Sequence, residues 1–290
     1  MQLLQLKRKI KPLVPVGLIE LKTRRRHENE KQQEIARRQR FEGLRGVVGE
    51  TVAAIAALTE AQCVDASFLE NRFIPSLGLN DEVLHEQPPE LSASFGKGLH
   101  LWQYPRQLAG YLAWLARNVA GITSYMEIGC RWGGMFILTS EWIRKNGGQL
   151  RAVTAVDPIE PTPFIEAYFD LLRGQAKASR SPVQATYLCD LSTSLAVAGE
   201  ADRIHPDFVF IDGDHGLRGA LTDHMLARNY ARIIVHHDVC SQACPDTTFL
   251  WEVLKTLEAH EFDFFDFVSQ YPSVKGNFLG MGAMKRKVMS

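Results

Sequence analysis

The chain has 290 residues, with 33 Lys plus Arg against 33 Asp plus Glu, 46% hydrophobic and 23% charged. This is globular composition: it excludes a chain disordered throughout and favours one domain of roughly 150 to 200 residues with an extension over two equal domains. No run approaches the roughly 18 to 20 apolar residues of a membrane span. Met1 to Glu20 carries Lys7, Arg8, Lys9, Lys11, Pro12 and Pro15 where a secretory signal needs an apolar centre, so a cytoplasmic protein is expected. Five scattered cysteines, Cys63, Cys130, Cys189, Cys240 and Cys244, fit reduced thiols better than a disulfide framework.

The balanced charge hides an asymmetry. Met1 to Arg45 holds 13 basic and 5 acidic residues, a charge of +8 against −8 for the remainder. This basic extension reads as a solvated helix or flexible arm with an apolar PLVPVGLIEL segment before its Arg24-Arg25-Arg26 run. No zinc-finger spacing or RNA-binding aromatic motif accompanies it, so no nucleic acid is assigned; an anionic membrane surface or a protein contact is its expected partner. Residues 46–122 read as a helical cap, with VAAIAAL at Val52 to Leu58 and YLAWLARNVAGI at Tyr111 to Ile122 around a polar stretch containing Gln87, Pro88 and Pro89.

Residues 123–290 alternate short β-rich runs with helical segments, which predicts an α/β fold with a parallel sheet covered on both faces. The expected strands are Ser124 to Ile128, Ala152 to Val156, Gln184 to Leu188, Asp207 to Ile211, Arg232 to His237, Phe262 to Val268 and Phe278 to Met284. Only turn material separates the last two, too little for a helical crossover, so the seventh strand is expected antiparallel to the sixth. This Rossmann-like seven-stranded topology resembles that of class I S-adenosylmethionine-dependent methyltransferases.

Ligands of open α/β sheets bind beyond the carboxyl ends of the strands. The first strand ends in EIGCRWGG, where Gly129 and Gly133 let the backbone turn tightly before a helix. Asp157, 28 residues beyond Gly129, ends the second strand and suits two ribose hydroxyls; a nicotinamide fingerprint would put its acid about 20 residues on. Asp190 in CDLS is positioned to border an adenine. The fourth and fifth strands end in IDGDH and HHDV, bringing carboxylates and up to three imidazoles together. Asp212 and Asp238, with or without His237, form a candidate site for Mg²⁺, although that ion prefers oxygen ligands; otherwise His237 binds substrate. His215 is the candidate general base, since imidazole titrates near neutral pH. Cys240 and Cys244 raise a zinc site that the absence of C-x-x-C disfavours.

The series EIGCRWGG, AVDP, FVFIDGDHGLRGALTD and IIVHHDV is similar to class I methyltransferases of the group containing cephalosporin-hydroxylase-like and macrocin-type O-methyltransferases, over about Gln107 to Lys287. The resemblance implies S-adenosylmethionine as cofactor, with Glu127, Gly129 and Cys130 at its methionine part, Asp157 at the ribose and Asp190 at the adenine. It implies Asp212 and Asp238 as metal ligands and His215 as base; His237 departs, standing where relatives often carry an acid. The implied reaction is in-line methyl transfer to a hydroxyl of a small-molecule acceptor, a sugar or secondary metabolite, in a chain that could form a homo-oligomer. Two rival readings are a non-catalytic S-adenosylmethionine-binding scaffold and a metal-dependent hydrolase or hydroxylase built on Asp212, His215, His237 and Asp238.

Overall fold

The computed structural model describes residues 36, 38–178 and 182–288, so the reading of the basic extension falls almost wholly outside the described residues. From Leu44 onward the chain forms one compact unit. The two longest of the described helices that precede the sheet are α1 (Gly46–Ala57) and α2 (Pro105–Ala116), with shorter helical turns between Glu60 and Leu77. The strands are β1 (Ser124–Ile128), β2 (Ala152–Asp157), β3 (Gln184–Cys189), β4 (Phe208–Ile211), β5 (Ile233–His237), β6 (Phe262–Phe267) and β7 (Met281–Arg286). Between them lie α3 (Gly134–Lys145), α4 (Pro163–Ala178), α5 (Leu195–Ile204), α6 (Leu217–Arg228) and α7 (Pro245–Leu257).

The seven strands form one sheet in the order β3-β2-β1-β4-β5-β7-β6. β1 to β5 pair in parallel, and β7 enters between β5 and β6, antiparallel to both. The fold class expected from the sequence is therefore observed, including the reversed last strand. β1, β4 and β5 are buried along their whole length, as strands covered on both faces must be.

The two-residue period of the strands divides the core. Tyr125, Phe208 and Phe210 face α2 and α3: Tyr125 stacks on Phe136 at 5.5 Å and Tyr111 meets Phe210 edge-on at 6.3 Å. Met126, Ile128, Val209, Ile211 and Ile234 face the opposite side, packing with residues of α5, α6 and α7 such as Val197, Ala220 and Trp251. The same alternation sends two adjacent histidines of β5 apart. His236 enters the second face, 3.1 Å from the His224 ring of α6 and 5.8 Å from the Trp251 ring, whereas His237 lies on the first, 6.3 Å from Phe210.

The last strand begins three residues later than the expected Phe278 to Met284. Leu279 (φ 61°) and Gly280 (φ 99°) bend the backbone first, and their carbonyls accept from the Cys240 and Val239 amides instead of joining the ladder. Phe278 and Leu279 pack with Tyr104 and Tyr271 in a separate small cluster. The polar middle of the cap holds only short 3-10 turns, Leu84–Glu86 and Pro89–Ser94. Leu79 bridges both Phe95 and Leu101, which places His100 to Gln103 over the carboxyl end of the sheet. No helix among the described residues is long and apolar enough to cross a membrane.

At Gly282 the Trp251 side chain of α7 lies directly on β7: a Cβ there would lie 2.3 Å from Trp251 Cζ2, and the indole is fastened by its Nε1–H to Asp266 at 2.7 Å. Gly282→Val is expected to destabilise the protein by about 3 kcal/mol or more through overpacking, read as a lower urea midpoint.

Candidate functional site

The site forms where β1, β2, β4 and β5 end. Gly129 follows β1 with φ 83°, and a Cβ on it would lie 1.9 Å from the Asp212 carbonyl oxygen, so the ends of β1 and β4 can converge only through glycine. The loop continues through Arg131 in the left-handed region (φ 44°) to Gly133 (φ 86°), where α3 begins. Asp157, buried at the end of β2, fastens this loop: Oδ2 accepts from the Arg131 amide at 2.7 Å and Oδ1 from the Ile159 amide at 3.0 Å. Burial pushes the Asp157 carboxyl up, against the pull of those amides. Asp190, at the end of β3, turns its Oδ1 to the Leu191 amide at 2.8 Å, beside an exposed Leu191 side chain.

Two cavities share a wall made of Gly129, Arg131, Asp212 and His215. The larger, about 380 Å³, lies over β2 and β3 and is lined by Asp157, Ile159, Asp190, Leu191 and Gly213. The smaller, about 190 Å³, lies over β4 and β5 and takes in Glu127, Cys130, His237, Asp238 and Cys244. Its roof comes from the cap, with His100, Trp102 and Gln103. The Arg131 guanidinium sits 4.0 Å over the Trp102 ring and 5.3 Å from that of Trp132, and pairs with Glu82 at 2.9 Å.

The end of β4 and the end of β5 meet in a compact polar cluster. Asp212 Oδ1 faces His237 Nδ1 at 3.1 Å and His215 Nε2 at 3.3 Å. Asp238 Oδ2 faces His215 Nε2 at 3.3 Å, His237 Nδ1 at 3.6 Å and the Cys244 thiol at 3.3 Å. The ligating atoms of Asp212, His237 and Asp238 lie within 4.8 Å of one another, as do those of His215, Asp238 and Cys244. The sequence brought up to three imidazoles here; the structure brings two, because strand alternation sends His236 to the other face. It also separates the two thiols: Cys244 enters the cluster, whereas Cys240 lies against Gly280 and belongs to neither ligand group.

The electrostatics are self-compensating. Burial opposes the charged form of Asp212 and of Asp238, but His237 and His215 together outweigh it and hold both carboxyls below their ordinary range. Burial would likewise lower His237, and Asp212 and Asp238 outweigh it and hold the ring well above its ordinary value. The Asp212 hydrogen bond, then that of Cys244, raises His215 to about 10. Glu127, hydrogen-bonded to the Tyr125 hydroxyl, is driven well up by burial. Burial also raises the Cys130 thiol.

Nine of the ten sequence-named site residues thus line the joined cavities; the tenth, Gly133, acts one step back by starting α3. Sequence reasoning missed Trp102, Arg131, Trp132 and the cap residues His100 and Gln103. Arg131 stood inside the glycine loop and was readable there; the cap residues come from a segment whose path nothing in the local pattern disclosed.

No protein-family profile matches the sequence, and no curated protein matches it. Solved structures match it at low similarity. The O-methyltransferase TomG of Streptomyces achromogenes, which is involved in tomaymycin synthesis and was solved with S-adenosylmethionine, is 16% identical over 79% of this chain and 100% of its own, with a TM-score of 0.42. A precorrin-6y C5,15-methyltransferase from Geobacter metallireducens is 16% identical over 58% of this chain and 82% of its own, with a TM-score of 0.35. A candidate hemolysin from Lactococcus lactis is 14% identical over 62% and 86%, with a TM-score of 0.38. Any reading of activity therefore rests on the site itself.

Asp223 of α6 lies buried beneath the shared wall: a Cβ on Gly213 would sit 3.0 Å from its Oδ2, and burial pushes its carboxyl up to about 6. A folded pKa above the ordinary 3.8 favours the fold below about pH 3.8 and loses that contribution as pH rises through about 6. Asp223→Asn should therefore be about 1 to 3 kcal/mol more stable than wild type at pH 7.5, and the gap should close near pH 4, checked by urea unfolding at both pH values.

Proposed function

We propose that this chain is an S-adenosylmethionine-dependent methyltransferase acting on a hydroxyl of a small molecule, a sugar or a secondary metabolite. The observation that carries the reading is the pair of joined cavities at the Gly129 and Asp212 crossing, one walled by strand-end acids for a nucleoside, the other by an acid and imidazole cluster for chemistry. The residues fit the cofactor. The space a Cβ would occupy at Gly129 is taken by the β4 backbone, which leaves the loop amides and carbonyls as the cavity wall, and Glu127, Asp157, Asp190 and Asp212 give a cationic sulfonium and ammonium an acidic surround.

In this reading Asp157 and Asp190 hold the ribose and adenine ends, and Glu127, Gly129 and Cys130 border the methionine part. The cofactor supplies an electrophilic methyl group, so the protein's work is alignment and removal of the acceptor's proton. The cap residues Trp102 and Gln103 close the smaller cavity over the acceptor and limit water. His215, exposed at the shared wall, offers Nε2 for the hydroxyl proton. Asp212 and Asp238 favour its charged ring, so the hydroxyl must compete for those carboxylates before Nε2 is free to act at neutral pH.

A divalent cation such as Mg²⁺ fits the same place. Asp212, Asp238 and His237 present converging donors, and the buried His237 Nε2 has no hydrogen-bond partner among the described residues. These three would hold the ion, which supplies polarisation of the acceptor oxygen.

Calorimetric titration with S-adenosylmethionine and S-adenosylhomocysteine, each with and without Mg²⁺, tests the reading without knowledge of the acceptor. Micromolar binding is expected, weakened roughly 10- to 150-fold in Asp157→Ala, the loss of a charge-assisted hydrogen bond of about 1.5 to 3 kcal/mol. Wild-type protein that binds neither ligand overturns it. Once an acceptor is found, His215→Ala should keep cofactor affinity and slow transfer by roughly 10² to 10⁴, measured in single turnovers.

A further inference from the structure

We propose that His215, Asp238 and Cys244 form a second cation site, selective for a borderline transition-metal ion of the Zn²⁺ or Co²⁺ type. Their donor atoms Nε2, Oδ2 and Sγ lie within 4.8 Å of one another. Three protein donors with an open side toward a cavity is the arrangement of an accessible zinc centre with one position left for water or ligand.

The separations favour four-coordination. Tetrahedral bonds of about 2.0 to 2.1 Å to N and O and about 2.3 Å to S place donors about 3.3 to 3.5 Å apart, whereas octahedral Mg²⁺ bonds of about 2.1 Å bring neighbours to about 3.0 Å. Here Nε2 to Oδ2 is 3.3 Å and Sγ to Oδ2 is 3.3 Å. The donor set agrees: a thiolate and an imidazole select the softer ions and leave Mg²⁺ to oxygen. The three donors are also held from different directions. Asp238 (φ 58°) ends β5 with its carbonyl bound by the Thr247 hydroxyl at 2.9 Å, Cys244 immediately precedes α7, and His215 lies on the loop after β4.

Binding forms metal bonds to Nε2, Oδ2 and Sγ and releases the thiol proton, with any proton on the His215 ring, to solvent; no electron is transferred. Both groups draw on Asp238, so the two ions compete for one carboxylate. Occupation of this second site also takes the lone pair of His215, so under the methyl-transfer reading the softer ion suppresses proton removal where Mg²⁺ supports it. Only that consequence rests on the methyl-transfer reading.

The test is absorption of the purified full chain during titration with Co²⁺, read without cofactor or acceptor. Wild type should develop a near-ultraviolet thiolate-to-cobalt band together with intense visible bands of a four-coordinate ion. Cys244→Ser should lose the near-ultraviolet band and bind Co²⁺ at least about tenfold more weakly. His215→Ala, a change at an exposed ring, should weaken binding while keeping the band at saturating Co²⁺, and Cys240→Ser should behave as wild type. Stoichiometric Zn²⁺ should bleach the spectrum and excess Mg²⁺ should not. No band in wild type, a band that survives in Cys244→Ser, or displacement of Co²⁺ by Mg²⁺ at equal concentration overturns the proposal. A protein that shows the band yet binds no S-adenosylmethionine keeps this site and loses the methyl-transfer reading; the reverse result does the opposite.

Discussion

The contact between Gly129 and the Asp212 carbonyl sets the geometry of everything around it. β1 and β4 are neighbours in the sheet, and their chains leave it at the same end. Any side chain at 129 would hold those ends apart and, with them, the carboxylate of Asp212 from the loop that faces it. Because glycine permits the crossing, the backbone of the first loop and the acid of the fourth strand become parts of one wall. The larger cavity lies on one side of that wall and the acid and imidazole cluster on the other.

The cluster solves the cost of gathering carboxylates in a buried place by meeting them with imidazoles. Two acids and two histidines share protons and hydrogen bonds over little more than 3 Å, so the group is close to neutral as a whole while each member is displaced from its ordinary titration range. At Glu127 burial prevails over the pull of the Tyr125 hydrogen bond and of His237, and the carboxyl lies well above its ordinary range. The difference between Glu127 and Asp212, two acids of one site, is thus that Asp212 touches two imidazoles directly, His237 at 3.1 Å and His215 at 3.3 Å.

Most of the sheet was legible because its residues obey local rules. β1, β4 and β5 are short apolar runs between turn signals, and the crossover lengths separate parallel pairing from the reversed final strand. Strand-end acids were legible for the same reason, since the end of a strand in such a sheet faces the ligand. Three things were not. The side on which His236 lies depends on the phase of β5, which becomes fixed only when Phe210 and Trp251 are known to lie on opposite faces. The start of β7 depends on backbone bends at Leu279 and Gly280 and on amides donated from 239 and 240, far away in sequence. The roof of the smaller cavity is built by a cap segment tied through Leu79, a contact that no periodicity signals.

The insertion of β7 between β5 and β6 imposes an order of assembly. As the chain leaves the ribosome from its N-terminal end, β1 to β5 can pair in sequence while β5 still has a bare edge. The residues that cover this edge, Met281 to His237 and Gly282 to His236, emerge well after β5, as do Leu279 and Gly280, which hold the backbone just beyond Asp238. The half of the site over β2 and β3 can therefore form before the half over β4 and β5 is completed. Until then the bare β5 edge is the place where a newborn chain is most open to pairing with another.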